Sequence, residues 1–219
     1  MPKIDAYRTV IWDFNGTLLD DLWIGIGAIN ALLGRRGMPT IDSSDAYHEL
    51  FCFPIEEYYR RLGFDFSREP YEVLAVEWVR EYRAIEKSAA LRDGARRMLS
   101  LFRERGIRQA VISATEQTML HEQLEALGIL PYFECVIGRG DIYASDKVAL
   151  AKANAERFSD GRVLVIGDTV HDLEMARALS ADAILLEGGH SSARALAALG
   201  CEIASDFATL EGRLLDANA

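Results

Sequence analysis

Two hydrophobic rhythms divide the chain. Val10, Ile11 and Trp12 form a short apolar run of β-forming residues, the pattern of a strand covered on both faces. It ends on Asp13, and Gly16 lets the chain turn sharply soon after. From 21 to 87 the period is helical. Leu22, Ile26, Ile29 and Leu33 recur on one face. Gly34 to Pro39 closes that helix, and Ser43 or Ser44 opens another that runs to Leu50. Pro54 sits where a first helical turn begins, ahead of a helix over 55–62. A fourth helix spans 71–87, with Val73, Val76, Val79 and Tyr82 as its apolar side. No strand-like run interrupts this block.

After Asp93-Gly94 strands and helices alternate. A helix over 95–105 ends at Gly106, and a strand over 109–112 ends at Ser113. A helix over 116–127 follows, then a strand over 133–137 and a helix over 147–158. The strand over 163–166 delivers Gly167-Asp168, the next helix covers 172–179, and 183–186 and 202–204 read as the last strands. Such alternation predicts a parallel sheet with right-handed crossovers. The expected fold is therefore α/β: a Rossmann-like parallel sheet core formed by 1–20 and 88–219, carrying an inserted α-helical cap over 21–87.

Composition narrows the partners. The chain has 219 residues, half of them hydrophobic and 26% charged, the balance of an ordinary globule with a sizeable core. A formal net charge of −10 argues against nucleic acid and against anionic membrane surfaces. No apolar run reaches transmembrane length, and residues 1–4 lack the start of a secretory signal. Cys52, Cys135 and Cys201 are far apart and odd in number, which predicts reduced thiols and a cytoplasmic location. Of the 24 basic residues only Lys3, Lys87, Lys147 and Lys152 are lysines, so a lysine at a chemically useful position stands out.

Ligands of open α/β sheets bind outside the carboxyl ends of the strands. Asp13 and Asp168 both fall there, and Asp172 follows at a helix start. Asp168 and Asp172 can supply oxygen ligands to Mg²⁺, although Gly-Asp-x-x-x-Asp reads equally as a turn and a helix cap. The Ser113 hydroxyl and neighbouring backbone N–H groups can hold a phosphate. Lys147 opens a helix, where the dipole favours an acid, so an anionic ligand explains it better than helix stability does.

Asp13-Phe14-Asn15-Gly16-Thr17, Ser113, Lys147 and Gly167-Asp168 with Asp172 resemble, in order and spacing, the four motifs of the haloacid dehalogenase superfamily. The helical insert resembles its small α-helical cap. Gly188-Gly189-His190 with Asp206-Phe207 and Leu210 is similar to phosphoglycolate phosphatase-like members. The resemblance implies a hydrolase acting on a small, anionic phosphorylated metabolite. Asp13 would be the nucleophile that becomes an aspartyl-phosphate. Mg²⁺ would be held by Asp13, the backbone carbonyl of Asn15, Asp168 and, through water, Asp172. Ser113 and Lys147 would neutralise phosphoryl oxygens, with Gly16, Thr17 and Ala114 around the phosphate.

Asn15 departs from that pattern, since the family's phosphatases carry Asp there as general acid and base. An amide hydrogen-bonds but does not trade a proton, so ordinary phosphomonoesterase activity is expected to be weakened or specialised, with His171 or a substrate group as an alternative proton source. Three other readings compete. Dehalogenase-like members place an aromatic residue at this position and have no metal site. Phosphonatase-like members use a cap lysine, for which Lys87 is the sole candidate in or bordering the insert. A non-enzymatic protein that binds a phosphorylated ligand or a partner is the third. Specificity is expected from the insert: His48, Arg60 and Arg61 as polar contacts, and Phe51, Phe53 and Tyr58 as walls. Arg139 and His190 lie in loops that can approach the site.

Overall fold

The computed structural model describes residues 2–140 and 147–215. Its strands are β1 (Thr9–Trp12), β2 (Leu19–Asp20), β3 (Ala90–Leu91), β4 (Arg108–Glu116), β5 (Cys135–Arg139), β6 (Val163–Gly167), β7 (Asp182–Leu186) and β8 (Glu202–Ala204). Six of them form a parallel sheet of order β5-β4-β1-β6-β7-β8. β1 lies in its interior, and all four of its residues are buried. Val10 and Trp12 face one apolar cluster with Met98, Phe102 and Phe207, while Ile11 faces the other with Val165 and Met175. That double coverage is why the run reads as continuously apolar. The indole N–H of Trp12 donates to Gln109 at 3.0 Å, and the Gln109 amide donates to the Leu99 carbonyl at 2.8 Å. The buried indole of Trp12 and amide of Gln109 are thus paired.

The helices that flank the sheet are α5 (Ala95–Glu104), α6 (Gln117–Ala126), α7 (Lys147–Ala153), α8 (Val170–Ala178), α9 (Ala193–Ala197) and α10 (Phe207–Leu215). Between β2 and β3 come α1 (Leu22–Arg35), α2 (Ser44–Leu50), α3 (Ile55–Arg61) and α4 (Tyr71–Ile85). These four helices have a core of their own, including Ile29, Leu33, Tyr47, Tyr59 and Leu74. The chain enters and leaves the block through a two-stranded antiparallel ribbon, Leu19 opposite Leu91 and Asp20 opposite Ala90. Segments of two residues carry no readable period, so this ribbon was not expected from the sequence.

Four local expectations need correction. On α4 two of the three valines do not face inward: Val73 and Val76 are about half exposed, while Leu74, Ala75 and Tyr82 are buried. Leu74, Trp78 and Tyr82, four residues apart, form the stripe toward α1, because their larger apolar surface gains more from burial than a valine does. β4 runs on past Ser113 to Glu116, with an irregular register between Ile112 and Glu116. The polar tail stays extended because the Ser113 hydroxyl accepts from Thr115 N–H at 3.1 Å and the Glu116 carboxylate caps α6 through Thr118 and Met119 N–H, each at 2.9 Å. The helix expected over 147–158 ends at Ala153 and yields to a 3₁₀ turn over Ala155–Phe158. α8 starts at Val170, two residues earlier than expected, with Thr169 as its N-cap.

Cys52, Cys135 and Cys201 are free thiols. No helix among the described residues is long and apolar enough to cross a membrane.

Candidate active site

The carboxyl ends of β1 and β6 lie side by side, and the Asp13 N–H donates to the Ile166 carbonyl at 2.8 Å. This register sets Asp13 beside Asp168. The first turn of α8 adds Asp172, so that one carboxylate oxygen from each of the three lies within 4.8 Å of the others. From α7, Lys147 Nζ reaches Asp13 Oδ1 at 2.6 Å and Asp172 Oδ1 at 2.8 Å. All four side chains are buried. Burial pushes the Asp13 carboxyl well up, the charges of Asp172 and Asp168 add to this, and Lys147 pulls it back. Burial also raises Asp168, against the pull of His190. Burial alone would lower the lysine, but Asp13 and Asp172 outweigh it and hold the ammonium above its usual range. Three carboxylates facing one ammonium leave an excess of buried negative charge. Hard oxygen donors in that arrangement fit a cation such as Mg²⁺.

Asp172 serves the helix cap and the lysine contact at once. Its Oδ2 accepts from Thr169 Oγ1 at 2.8 Å and from the Thr169 and Asp168 N–H groups at 3.0 and 3.2 Å, capping α8, and its Oδ1 meets Lys147. Asp168 is held by Thr17 Oγ1 at 2.8 Å and by the His190 N–H at 2.6 Å. Gly16 turns at φ +72°, and a Cβ there would come within 2.5 Å of Asp168 Oδ2 and 2.7 Å of the His190 ring. Only glycine fits that crossing. Arg92 donates to the carbonyls of Gly16, at 2.6 Å, and Glu187, tying the loops after β1 and β7 together.

Asn15 joins sheet and helical block. Its Nδ2 donates to Asp21 Oδ2 at 2.7 Å and to Tyr82 Oη at 3.1 Å. Its Oδ1 accepts from Thr115 Oγ1 at 2.6 Å and, at a long 3.5 Å, from Ser113 Oγ. Asp21 also accepts from Gly16 N–H and from Tyr82 Oη, each at 2.8 Å, and pairs with His190 Nε2 at 3.5 Å. Burial would raise the Asp21 carboxyl, yet the bonds from His190, Asn15 and Tyr82 hold it below its usual value. Burial would lower His190, but its contact with Asp21 and the charges of Asp168 and Asp13 push it up to about 9. The other ring nitrogen of His190 meets Tyr47 Oη at 2.9 Å. Asp21 and Tyr82 are the functional residues that sequence reasoning missed. An Asp before an apolar helix reads as an N-cap, and Asp21 occupies that position on α1 without capping it.

The remaining expected residues divide. Ser113 is buried at the site, donates to Thr115 Oγ1 at 3.1 Å and lies next to Asn15. Ala114 lines the cavity described below, and so do Phe51, Phe53 and Tyr58. Thr17 is fully buried and turned to Asp168. Arg139 and His190 both line the cavity. His48 and Arg60 do not. His48 Nε2 meets the Gly189 carbonyl at 2.9 Å, bracing α2 on the loop after β7. Arg60 has its side chain 55% exposed, faces Glu57 at 3.7 Å and lies over the Phe66 ring. Arg61 likewise pairs with Glu57. α3 buries Tyr58 and Tyr59, and the helical period turns the next two residues to solvent. Lys87 is exposed in the turn after α4. His171 packs on Phe53, with ring centroids 3.9 Å apart.

Between the helical block and the strand ends lies a cavity of about 250 Å³. Asn15, Asp21, Ala114 and Thr115 bound it on one side with Glu116 and Arg139, and aromatic side chains from α2, α3, α4 and the loop between α2 and α3 bound much of the rest.

Residues 10–186 match the family described as haloacid dehalogenase-like hydrolase, and the chain belongs to that family. It is 27% identical over 215 residues to the tyrosine-protein kinase PtkA of Mycobacterium tuberculosis, covering 94% of this chain and 71% of that one. The solved PtkA structure superposes with a TM-score of 0.80 at 24% identity, covering 95% and 98% of the two chains, and so shares the fold. The phosphoglycolate phosphatase of Synechococcus elongatus is 25% identical over 192 residues, 87% of this chain and 89% of that one.

Proposed function

We propose that this hydrolase is a Mg²⁺-dependent phosphatase that works through an aspartyl-phosphate on Asp13. The observation that carries the reading is the contact of Lys147 with both Asp13 and Asp172, beside Asp168, at adjacent strand ends. Names among its relatives support phosphoryl chemistry: one is a kinase and one a phosphatase. In this reading Asp13, the Asn15 backbone carbonyl and Asp168 hold Mg²⁺, and Asp172 supports them. The bound metal supplies positive charge that keeps Asp13 ionised and neutralises the phosphate. Asp13 attacks phosphorus in line while Lys147 and Ser113 bind its oxygens, a task of positioning and electrostatics. Water then releases phosphate from Asp13.

Asn15 orients groups around the reacting centre but has no proton to give or take, so leaving-group protonation and water activation lack the usual carboxyl. General acid–base help is worth about 10²–10⁴-fold, so the enzyme is slow on poor leaving groups. The helical block, 21–87, acts as the cap that excludes water. Exposure of Lys87 disfavours imine chemistry, and the buried carboxylates disfavour a metal-independent dehalogenase. Free cysteines support a reducing, cytoplasmic setting.

A screen of phosphorylated metabolites with added Mg²⁺, read by phosphate release, tests this reading. Release from at least one ester, lost on chelation and in Asp13→Asn, is expected. No release from any ester, or release that survives Asp13→Asn, overturns it.

A further inference from the structure

The cavity beside Asn15 points to the group the site releases. Resting on the phosphatase reading, we infer that the substrate is a small aryl phosphate: one aromatic ring seated in this cavity and joined through a phenolic oxygen to the phosphate at Asp13.

Size comes first. A cavity of about 250 Å³ exceeds the ~150 Å³ engineered cavity that takes up benzene and falls below the ~300–1,000 Å³ of sites for drug-sized ligands. One ring with small substituents matches it. The walls agree: Phe51, Phe53, Tyr58, Tyr71, Trp78 and Tyr82 all line it. Among themselves they meet edge-to-face or tilted, Phe51 on Phe53 at 5.2 Å and 75°, Trp78 on Tyr82 at 5.0 Å and 30°. Such walls offer both faces and edges to an inserted ring. A second anion on the leaving group finds less. His190 faces Asp21, and the Arg139 guanidinium donates to the Ala114 carbonyl at 3.4 Å among its other contacts. Arg60 and Arg61 turn outward to Glu57.

The chemistry of Asn15 selects the same class. When Asp13 forms its bond to phosphorus, the bond from phosphorus to the aryl oxygen breaks and its electron pair leaves on that oxygen. A phenol has a pKa of about 10, whereas an alcohol lies near water at ~15.7. Phenolate therefore departs without a proton, which Asn15 does not have, and is protonated by solvent afterwards. Water next bonds to phosphorus, the bond to Asp13 breaks, the water's proton passes to the phosphate, and Asp13 returns as a carboxylate. Aryl phosphate and water become phenol and inorganic phosphate. The ring that fits the walls is thus also the leaving group that tolerates the missing acid.

Two measurements on the full chain with Mg²⁺ test the inference. In calorimetry, phenylphosphonate, whose P–C bond does not react, is expected to bind about 10–100-fold tighter than methylphosphonate, the gain from burying one ring. Ala75→Phe and Val79→Phe narrow the cavity from α4 by separate routes, and in whichever variant folds the phenyl-to-methyl ratio is expected to fall toward one. In turnover, phenyl phosphate is expected to exceed benzyl, acetyl and glycerol phosphates in kcat/KM. Benzyl phosphate shares the low KM, and acetyl phosphate shares the high kcat. Equal binding of the two phosphonates by wild type, or faster turnover of glycerol phosphate than of phenyl phosphate, overturns the inference. Ring-selective binding with no phosphate released from any of the four esters overturns the phosphatase reading, and the substrate with it, by a separate result.

Discussion

The amide of Asn15 donates to the carboxylate of Asp21 at 2.7 Å, and this bond carries the contact between the end of β1 and the start of the helical block. Tyr82, from the far end of the block, donates to the same oxygen. A carboxylate at position 15 would face Asp21 across that distance as a like charge. The amide is therefore matched to its neighbour as well as unusual for the chemistry.

Asn15→Asp is expected to have two opposing effects. A half-buried and a buried carboxylate at hydrogen-bond distance retain one proton between them, so turnover of an alkyl phosphate rises, by up to roughly the 10²–10⁴ of general acid catalysis. Stability falls by about 1–3 kcal/mol, the cost of a buried polar mismatch. Asn15→Asp with Asp21→Asn exchanges the two groups and regains most of that loss. Thermal unfolding and phosphate release from glycerol phosphate measure both effects. Unchanged stability in the single variant would contradict the coupling, and a gain that survives Asp13→Asn would not come from this site.

Asp168→Asn is expected to abolish Mg²⁺ binding in the absence of substrate. Thr17 and the His190 N–H orient Asp168 before any ligand arrives, so the wild-type site is preorganised. Titration calorimetry separates the two proteins, and equal heats would remove Asp168 from the metal set.

The metal-free protein is expected to lose stability between about pH 6.5 and pH 9. Burial opposes the His190 charge, but Asp21, Asp168 and Asp13 raise the folded pKa to about 9, from 6.5. A folded pKa above the unfolded one gives a stabilisation present in full below pH 6.5 and lost as pH climbs through 9, amounting to about 3 kcal/mol. Denaturation in the presence of EDTA should show this decline in wild type and a flatter curve in His190→Asn. Parallel curves would mean that His190 is neutral in the folded protein.

The two-stranded ribbon of β2 and β3 is the double connection between helical block and sheet, and Leu19 pairs with Leu91 there. We expect a protease to cut the free protein near 19–20 and 87–93, and Mg²⁺ with a phosphate analogue to slow those cuts severalfold by drawing the block down. Cleavage scattered through α1–α4, without ligand protection, would show that the block does not hinge.

The order of strands and helices was legible in the sequence because each signal is local. Apolar runs mark β1 and β6, the 3.6-residue period marks α1, and Asp13 and Asp168 are legible because each directly follows such a run. Ser113 was found for the same reason, although its strand continues to Glu116 through polar residues that carry no apolar run. Tertiary structure decided the rest. Val73 and Val76 or Leu74 and Trp78 could equally have joined Tyr82 on the inner face of α4, and the larger side chains took it. Arg60 points outward because Tyr58 and Tyr59 point inward. The Asn15, Tyr82 and Asp21 bonds span 6 to 67 residues of chain, and His190 comes from beyond β7 to the same carboxylate. Spacing along the chain does not encode such pairings, because they exist only where two separately folded surfaces meet and each buried polar group must find its partner there.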